Sequence, residues 1–466
     1  MLKNKYLCIY FFFLWSLVLL PACGNLIVVP ISHSPLISTS SVVSLALALA
    51  LALAAIPPWI GTRQLGVSSS DTQAYSEATD LVGNIFVAGS TAGNLDGNIL
   101  TGTSDFFVTK YNSSGTKQWT KQLGVSGVGT QAFGVATDSV GNVFVTGRTY
   151  GGLDGNTLTG SADFFVTKYD SSGIKQWTKQ LGVSSTWAMG IATDSVGNIF
   201  VAGRTFGGLD GNTLTGISDF FVTKYNSSGT KQWTKQLGAS GSTTGAYGGV
   251  KTDSAGNIFV AGYTTGNLDG NILTGYSDFF VTKYDSSGTK QWTKQLGASG
   301  AADIQARGVA TDSAGNIFVT GYTNGNLDGN TLTGLNDFFV TKYDTSGTKQ
   351  WTRQMGAVGR ATGGSAVATD VIGNIFVTGY TGDGLDGNVL TGNEDLFITK
   401  YNSNGTKQWT KQLGASAAST DSTGLVTDSA GNIFVAGYTN GNLDGNTLIG
   451  TKDFFVTKYD ASGVKQ

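Results

Sequence analysis

Residues 247–296 set out a pattern of apolar and polar positions that returns along most of the chain. Tyr247–Thr252 leads into Asp253-Ser254-Ala255-Gly256-Asn257, where an Asp accepting local backbone hydrogen bonds and a Gly free to take positive φ mark a tight turn. Asn257–Thr264 (Asn-Ile-Phe-Val-Ala-Gly-Tyr-Thr) is rich in β-branched and aromatic residues and predicts a strand. A longer connection follows with Leu268-Asp269-Gly270-Asn271, in which Asp-Gly is a strong turn signal. Asp278–Tyr284 predicts a third strand, Asp285-Ser286-Ser287-Gly288 a turn, and Lys290–Leu296, carrying Trp292, a fourth. Side chains alternate along a strand, so Phe280 and Tyr284 point one way and Phe279 and Val281 the other. A sheet apolar on both faces must be covered on both.

The unit occurs seven times. Gly-Asn followed by an apolar strand recurs at Gly83, Gly141, Gly197, Gly256, Gly315, Gly373 and Gly431, with gaps of 58, 56, 59, 59, 58 and 58 residues. Asp-Phe-Phe-Val-Thr-Lys-Tyr recurs as often, from Asp105 to Asp453, reading Asp-Leu-Phe-Ile at Asp395. The Lys-Gln-Trp block occurs only six times, at Trp119, Trp177, Trp233, Trp292, Trp351 and Trp409. The sequence stops at Lys465-Gln466, and the missing continuation stands at the other end as Thr62-Arg63-Gln64-Leu65-Gly66. An open solenoid would need capping units and has no use for a split repeat. The expectation is an all-β, seven-bladed β-propeller of four-stranded antiparallel blades over residues 59–466, its ring closed by an N-terminal strand that completes the last blade. The tryptophans are expected to fill spaces between the outer strands. Trp59-Ile60-Gly61-Thr62 is two residues longer than Trp-Thr elsewhere, which puts Trp59 out of register with the usual tryptophan position.

The repeated Thr-Asp-Ser-x-Gly-Asn-Ile-Phe-Val-x-Gly-Tyr-Thr and Asp-Phe-Phe-Val-Thr-Lys-Tyr-Asp-Ser-Ser-Gly resemble the bacterial seven-bladed β-propeller (SBBP) repeat of secreted and surface proteins. The resemblance covers residues 59–466 and implies a fold and an envelope location, without a defined activity. Ser90, Arg148 and Arg204 depart from it, standing where later units have Tyr263, Tyr322, Tyr380 and Tyr438.

Residues 1–22 read as a signal peptide: Lys3 and Lys5 precede the apolar run Leu7–Leu20. Leu20-Pro21-Ala22-Cys23 resembles the lipobox of bacterial lipoproteins, which implies cleavage before Cys23 and acylation of that residue. Gly24, where an Asp would signal inner-membrane retention, points to an outer-membrane lipoprotein; exposure at the cell surface is a further expectation. Residues 23–58 form a Ser- and Pro-rich tether, and the Leu-Ala run at 45–55 is too short to span a bilayer.

Composition narrows the chemistry. Both cysteines (Cys8, Cys23), the histidine (His33) and all five prolines precede the repeats. The ring therefore has no Cys nucleophile, disulfide, His general base or Cys/His zinc site. The formal charge of −2 gives no footprint for nucleic acid. The Asp-Gly turns have some look of calcium loops, but they repeat as turn chemistry, and no metal or cofactor is expected. Asp80, Asp105 and their equivalents recur identically, whereas an active site needs different residues in different roles; no catalytic residue is assigned. The lysines at 110, 168, 224, 283, 342, 400 and 458 read as a solvated or blade-edge ring.

The positions that differ between units are better guides to binding. Five residues before the turn Asp, successive units carry Tyr75, Phe133, Met189, Gly248, Arg307, Ser365 and Thr423, with Trp187 and Tyr247 close by. Tyr75, Phe133, Trp187, Tyr247 and Arg307 are the candidate ligand-binding residues, expected on variable loops of one face, because aromatic and Arg side chains serve as binding anchors. The expectation is a monomeric, non-catalytic binding or scaffold module, tied to the membrane by lipid and facing a glycan or protein ligand. The competing class is an envelope polysaccharide hydrolase or lyase with carboxylates in the funnel.

Overall fold

A computed structural model describes residues 19–22, 25–28 and 59–466. Leu19–Ala22 and Asn25–Val28 form an antiparallel pair within a unit of their own. Cys23, the rest of the leader and most of the tether lie outside the described residues. Among the described residues no helix is long and apolar enough to cross a membrane.

Trp59–Gln466 is a second unit, made of seven four-stranded antiparallel sheets. The fourth blade runs Thr244–Thr252, Ile258–Thr264, Asp278–Tyr284 and Lys290–Leu296, in sheet order equal to chain order. Its first strand starts three residues earlier than the apolar pattern suggests. The Asp of the following turn accepts from backbone and side chain alike: Asp253 Oδ1 from the amides of Ala255 and Asn257, and Oδ2 from the Asn257 amide side chain. Asp278, wholly buried, opens the third strand by accepting from the backbone of Thr274 and Gly275 and from Gln295. Gln295 in turn accepts from the amide of Leu268, which pins the long second-to-third-strand loop to the fourth strand. The Asp of each Leu-Asp-Gly-Asn turn sits at φ of 53 to 56° and pairs with the lysine that starts the fourth strand, as Asp269 does with Lys290. These aspartates are occupied by turn and ion-pair duties.

Blades meet through the two faces of the third strand. Phe279 and Val281 pack with residues of the fifth blade, and Phe280 and Tyr284 with residues of the third. The first Phe of one block stacks on the second Phe of the next: Phe106–Phe165, Phe164–Phe221, Phe220–Phe280, Phe279–Phe339 and Phe338–Phe397, at 4.7–5.0 Å between centroids. Phe454 on Phe107 closes the ring at 5.0 Å, by the same contact. Leu396 breaks the series opposite Phe455 and keeps the seam apolar.

Closure follows the expected route. Arg63–Leu65 pairs antiparallel with Phe454–Val456 as the fourth strand of the last blade. The Gly61 amide donates to the Gln466 carbonyl at 2.7 Å, which ties the returning segment to the end of the last repeat. Trp59, contrary to the register argument, occupies the seventh tryptophan position. Its ring lies 5.6 Å from Phe434, as Trp292 lies 6.2 Å from Phe259. A Cβ on Gly115 of the first blade would approach it to 2.7 Å, as one on Gly347 would approach Trp292 to 2.9 Å. The two additional residues loop back, and the Trp59 Nε1 donates to the Gly61 carbonyl at 2.7 Å, which leaves the ring 2% exposed.

Two further rings tie neighbours together. The threonine before each turn Asp donates its hydroxyl to the carbonyl of the corresponding threonine in the preceding blade. These seven bonds, of 2.7–3.4 Å, run from Thr137–Thr79 round to Thr79–Thr427. Of the lysines expected as a solvated or blade-edge ring, six cross from the blade edge to the next blade, as Lys224 does to the Ser286 carbonyl at 3.0 Å.

Trp59 fastens the seam more tightly than its half-buried equivalents. Trp59→Ala is expected to cost about 3–5 kcal/mol in chemical denaturation, as for a fully buried aromatic, and more than Trp292→Ala. Deleting residues 59–66 exposes the edge of Asp453–Tyr459 and is expected to lower soluble yield and melting temperature sharply. A truncated protein melting like the intact one would show that closure does not depend on this strand.

Candidate functional site

The first strands of the seven blades line an axial channel. Each carries an irregularity in its pairing with the second strand, as at Tyr75 (between Ala74 and Ser76), Phe133 (between Ala132 and Gly134) and Arg307 (between Ala306 and Gly308). Met189, Ser365 and Thr423 hold the same place, and in the fourth blade the bulge widens to Ala246–Gly248. A bulge leaves one residue unpaired and re-aims its side chain. The positions that vary most between units are thus bulge residues of the innermost strands, where loops were expected. They border a cavity of about 120 Å³, with one of about 290 Å³ closer to the threonine ring.

All five predicted site residues lie on first strands. Tyr75, Phe133 and Arg307 are bulge residues, Tyr247 lies within the wide bulge, and Trp187 is cross-strand partner of Arg204. Arg148 and Arg204, noted in the sequence only as departures from tyrosine, link them. The Arg148 guanidinium lies over Phe133 and Trp187 at 5.4 and 4.5 Å, and Arg204 over Trp187 and Tyr247 at 4.8 and 5.3 Å. Arg307 continues the series over Tyr247 and Tyr322 at 5.5 and 5.6 Å. Tyr75 joins the other end, 5.4 Å from Phe133. The result is an arc of alternating aromatic and guanidinium groups from the first blade to the fifth.

Among the described residues the arginines of this arc have no acidic ion-pair partner. Arg148 donates from Nε and Nη2 to Gln131 Oε1, and Arg307 from Nη2 to Gln305 Oε1. Arg204 Nε and Trp187 Nε1 are buried without a hydrogen-bond partner. The ion pairs of the described residues join lysines to turn aspartates. By contrast Arg353 is spent on structure, donating to the Gly405 carbonyl at 2.7 Å. Burial pushes the Tyr247 and Tyr322 hydroxyls up to about 12, so both are neutral at physiological pH.

The sixth and seventh blades bring carboxyl groups to the mouth, with the Lys452 ammonium 4.9 Å from the Tyr438 ring among them. Glu394 stands where most other units have Ser, Ala or Asn, and Asp421 is cross-strand partner of Tyr438. Burial, then the charge of Asp421 and a hydrogen bond with it, hold the Glu394 carboxyl at about 7. The sequence signal for this pair was available, since Glu77 and Glu394 are the chain's only glutamates.

Seven segments (60–96, 118–154, 176–210, 232–269, 291–328, 350–386 and 408–444) match the SBBP β-propeller repeat, over more than half of the chain. The chain belongs to the SBBP β-propeller repeat family. Two curated relatives are each 25% identical over 67% of this chain. One is an uncharacterized WD repeat-containing protein of Acanthamoeba polyphaga mimivirus and the other the regulatory protein FlaEY of Caulobacter vibrioides. The match spans only 30% and 36% of their lengths. Among solved structures, a chain of the mitotic checkpoint complex is 12% identical with a TM-score of 0.46, covering 98% of this chain and 100% of that one. The polysaccharide lyase Uly1 is also 12% identical, with a TM-score of 0.44, covering 85% and 90%.

A raised Glu394 favours the protonated form in the fold, while the unfolded chain loses that proton near 4.5. Between those values the folded state binds the additional proton, so this group's stabilising contribution is complete below about pH 4.5, falls as pH rises, and levels off above about 7. Glu394→Gln is expected to flatten that part of the melting-temperature profile relative to wild type. A profile superimposable on wild type would show an ordinary carboxylate.

Proposed function

We propose that this SBBP propeller is a non-catalytic binding module, anchored by lipid in the bacterial outer membrane, that takes an acidic glycan on the arginine–aromatic arc. The observation that carries the reading is the run Phe133–Arg148–Trp187–Arg204–Tyr247–Arg307–Tyr322, with three guanidinium groups lacking an acidic ion-pair partner among the described residues. Flat aromatic faces suit sugar rings, and a guanidinium grips carboxylate or sulfate in bidentate fashion. The lipid anchor rests on Leu20-Pro21-Ala22-Cys23 behind a short apolar run.

A hydrolase reading turns on Glu394, whose carboxyl is held near the working range of a general acid. Asp421 beside it adds like charge, and the recurring aspartates that could act as its partner are held in turns and ion pairs. Saturable binding without product is therefore the expected behaviour.

A glycan array that includes uronate and sulfated polysaccharides tests the module. Arg204→Ala and Trp187→Ala are expected each to weaken the captured glycan by about 1–3 kcal/mol, with little change in melting temperature. Replacing Ser286 and Ser287, on the opposite face, should leave binding intact. Capture of proteins alone, or release of oligosaccharide products, would overturn the reading.

The anchor is tested separately. Cys23→Ser is expected to abolish metabolic labelling by fatty acid and to release the protein from the membrane fraction. Unchanged labelling would remove the lipoprotein assignment.

A further inference from the structure

The face opposite the arc is made of turns. In a blade whose strands lie in chain order, the first-to-second and third-to-fourth turns share one end of the sheet. The two lie side by side, since a Cβ on Gly83 or Gly141 would stand 3.5 Å from that of Ser113 or Ser171. Two tip residues follow the Asp of each first-to-second turn. They read Ser254-Ala255, Ser313-Ala314 and Ser429-Ala430 in blades four, five and seven. The second of them is Val82, Val140 and Val196 in blades one to three, and blade six carries Val371-Ile372. These five apolar side chains are 67–80% exposed.

Single exposed apolar residues are ordinary on a protein surface, but a run of them on adjacent elements is not. The threonine ring makes these turns adjacent. Its bonds of 2.7–3.4 Å join Thr193 to Thr137, Thr137 to Thr79, Thr79 to Thr427 and Thr427 to Thr369, each immediately before its turn Asp. The tips of blades six, seven, one, two and three therefore follow one another around the axis, with Ala430 between Ile372 and Val82. The turn aspartates leave the tips apolar, because Asp80 and Asp370 accept from the amides and the Asn side chain of their own turns.

The chain joins the ring at this same face, between blades seven and one. Gly61 bonds to Gln466 just past the last third-to-fourth turn, and Trp59 packs on Gly115 in that turn of the first blade. Ile60 beside them is 68% exposed, and Val464 stands where five other blades have Thr. In sequence, the Leu-Ala run at 45–55 ends four positions before Trp59, a length of chain that spans at most about 14 Å. That run is too short to cross a bilayer but apolar enough to enter its surface, which selects lipid over a soluble partner for the face where it joins.

We propose that the apolar turns of blades six, one, two and three rest on a lipid surface, with the arginine–aromatic mouth turned away from it. The inference rests on the lipid anchor proposed above and adds which face that anchor holds to the membrane. Both signs of charge occur on the turn face, as with Lys458 and its neighbour Asp428, so the apolar tips and not net charge make the contact. Five side chains of this size make a shallow, reversible contact. It orients an anchored ring and does not retain an unanchored one.

Vesicles of phosphatidylcholine, with and without phosphatidylglycerol, test the proposal on residues 23–466 carrying Cys23→Ser, the mature chain without acyl groups. At millimolar lipid a measurable fraction is expected to co-sediment, unaffected by phosphatidylglycerol or by salt. Changing Val82, Val140, Val196, Val371 and Ile372 together to Ser, as in the turn Asp285-Ser286-Ser287-Gly288, should lower the partition coefficient at least fivefold with the melting temperature unchanged. Replacing Ile99, Ile272 and Val389 by Ser should leave it unaltered, since these equally exposed residues lie on second-to-third-strand loops of the other face. No lipid binding, no loss in the turn variant, an equal loss in the loop variant, or capture of a soluble protein by the turns in place of lipid would overturn the assignment. Metabolic labelling decides the anchor and this partition decides the face, so either can fail alone.

Discussion

A sheet with two apolar faces has nowhere to end, and everything else in this protein answers that constraint. Each third strand sends one large apolar side chain forward and one back, and at six of the seven seams they form a phenylalanine stack at 4.7–5.0 Å. Burying a phenylalanine is worth about 1.5–3 kcal/mol, so an unclosed ring would forfeit two faces of such contacts. The Phe454–Phe107 stack, the strand Arg63–Leu65 and Trp59 in the seventh tryptophan position are one solution to that problem, made from opposite ends of the chain.

That solution decides where variation is permitted. The third and fourth strands and the turn aspartates are committed to seams, loops and ion pairs, and they hardly change between blades. The bulge on each first strand is excused from pairing, and its residue borders the channel. Tyr75, Phe133, Met189, Arg307, Ser365 and Thr423 differ there without disturbing closure. The cross-strand partners Arg148, Arg204 and Tyr322 are similarly free, and with the bulge residues they build a surface whose character changes around the mouth.

Charge is divided on the same principle. Seven lysine–aspartate pairs and the inter-blade lysines are structural and recur in register. Charges that break the register (Arg148, Arg204, Arg307, Glu394 and Asp421) gather at the mouth. Within the ring, a charged group costs desolvation unless paired. Unpaired ones on a fixed scaffold point to a partner from outside.

The fold could be read from the chain because its causes are local and repeated. Alternation within Asp278–Tyr284 gave two apolar faces, the Asp-Gly signals gave the turns, and the split repeat implied closure. The candidate residues were legible as departures from the repeat, since Trp187, Tyr247 and Arg307 stand out against their six equivalents. Their placement was not. A bulge depends on the pairing register of two strands, so the sequence spacing before the turn Asp looks the same for a loop residue and a channel residue. The slot of Trp59 likewise depends on how two additional residues fold back to the Gly61 carbonyl. Composition and spacing thus determined which residues are exceptional. Only the tertiary structure decided that Arg148 and Arg204 interleave with the aromatic residues, and that the apolar turns of the sixth and first blades belong to one series, because closing a ring brings together positions from blades far apart in the chain.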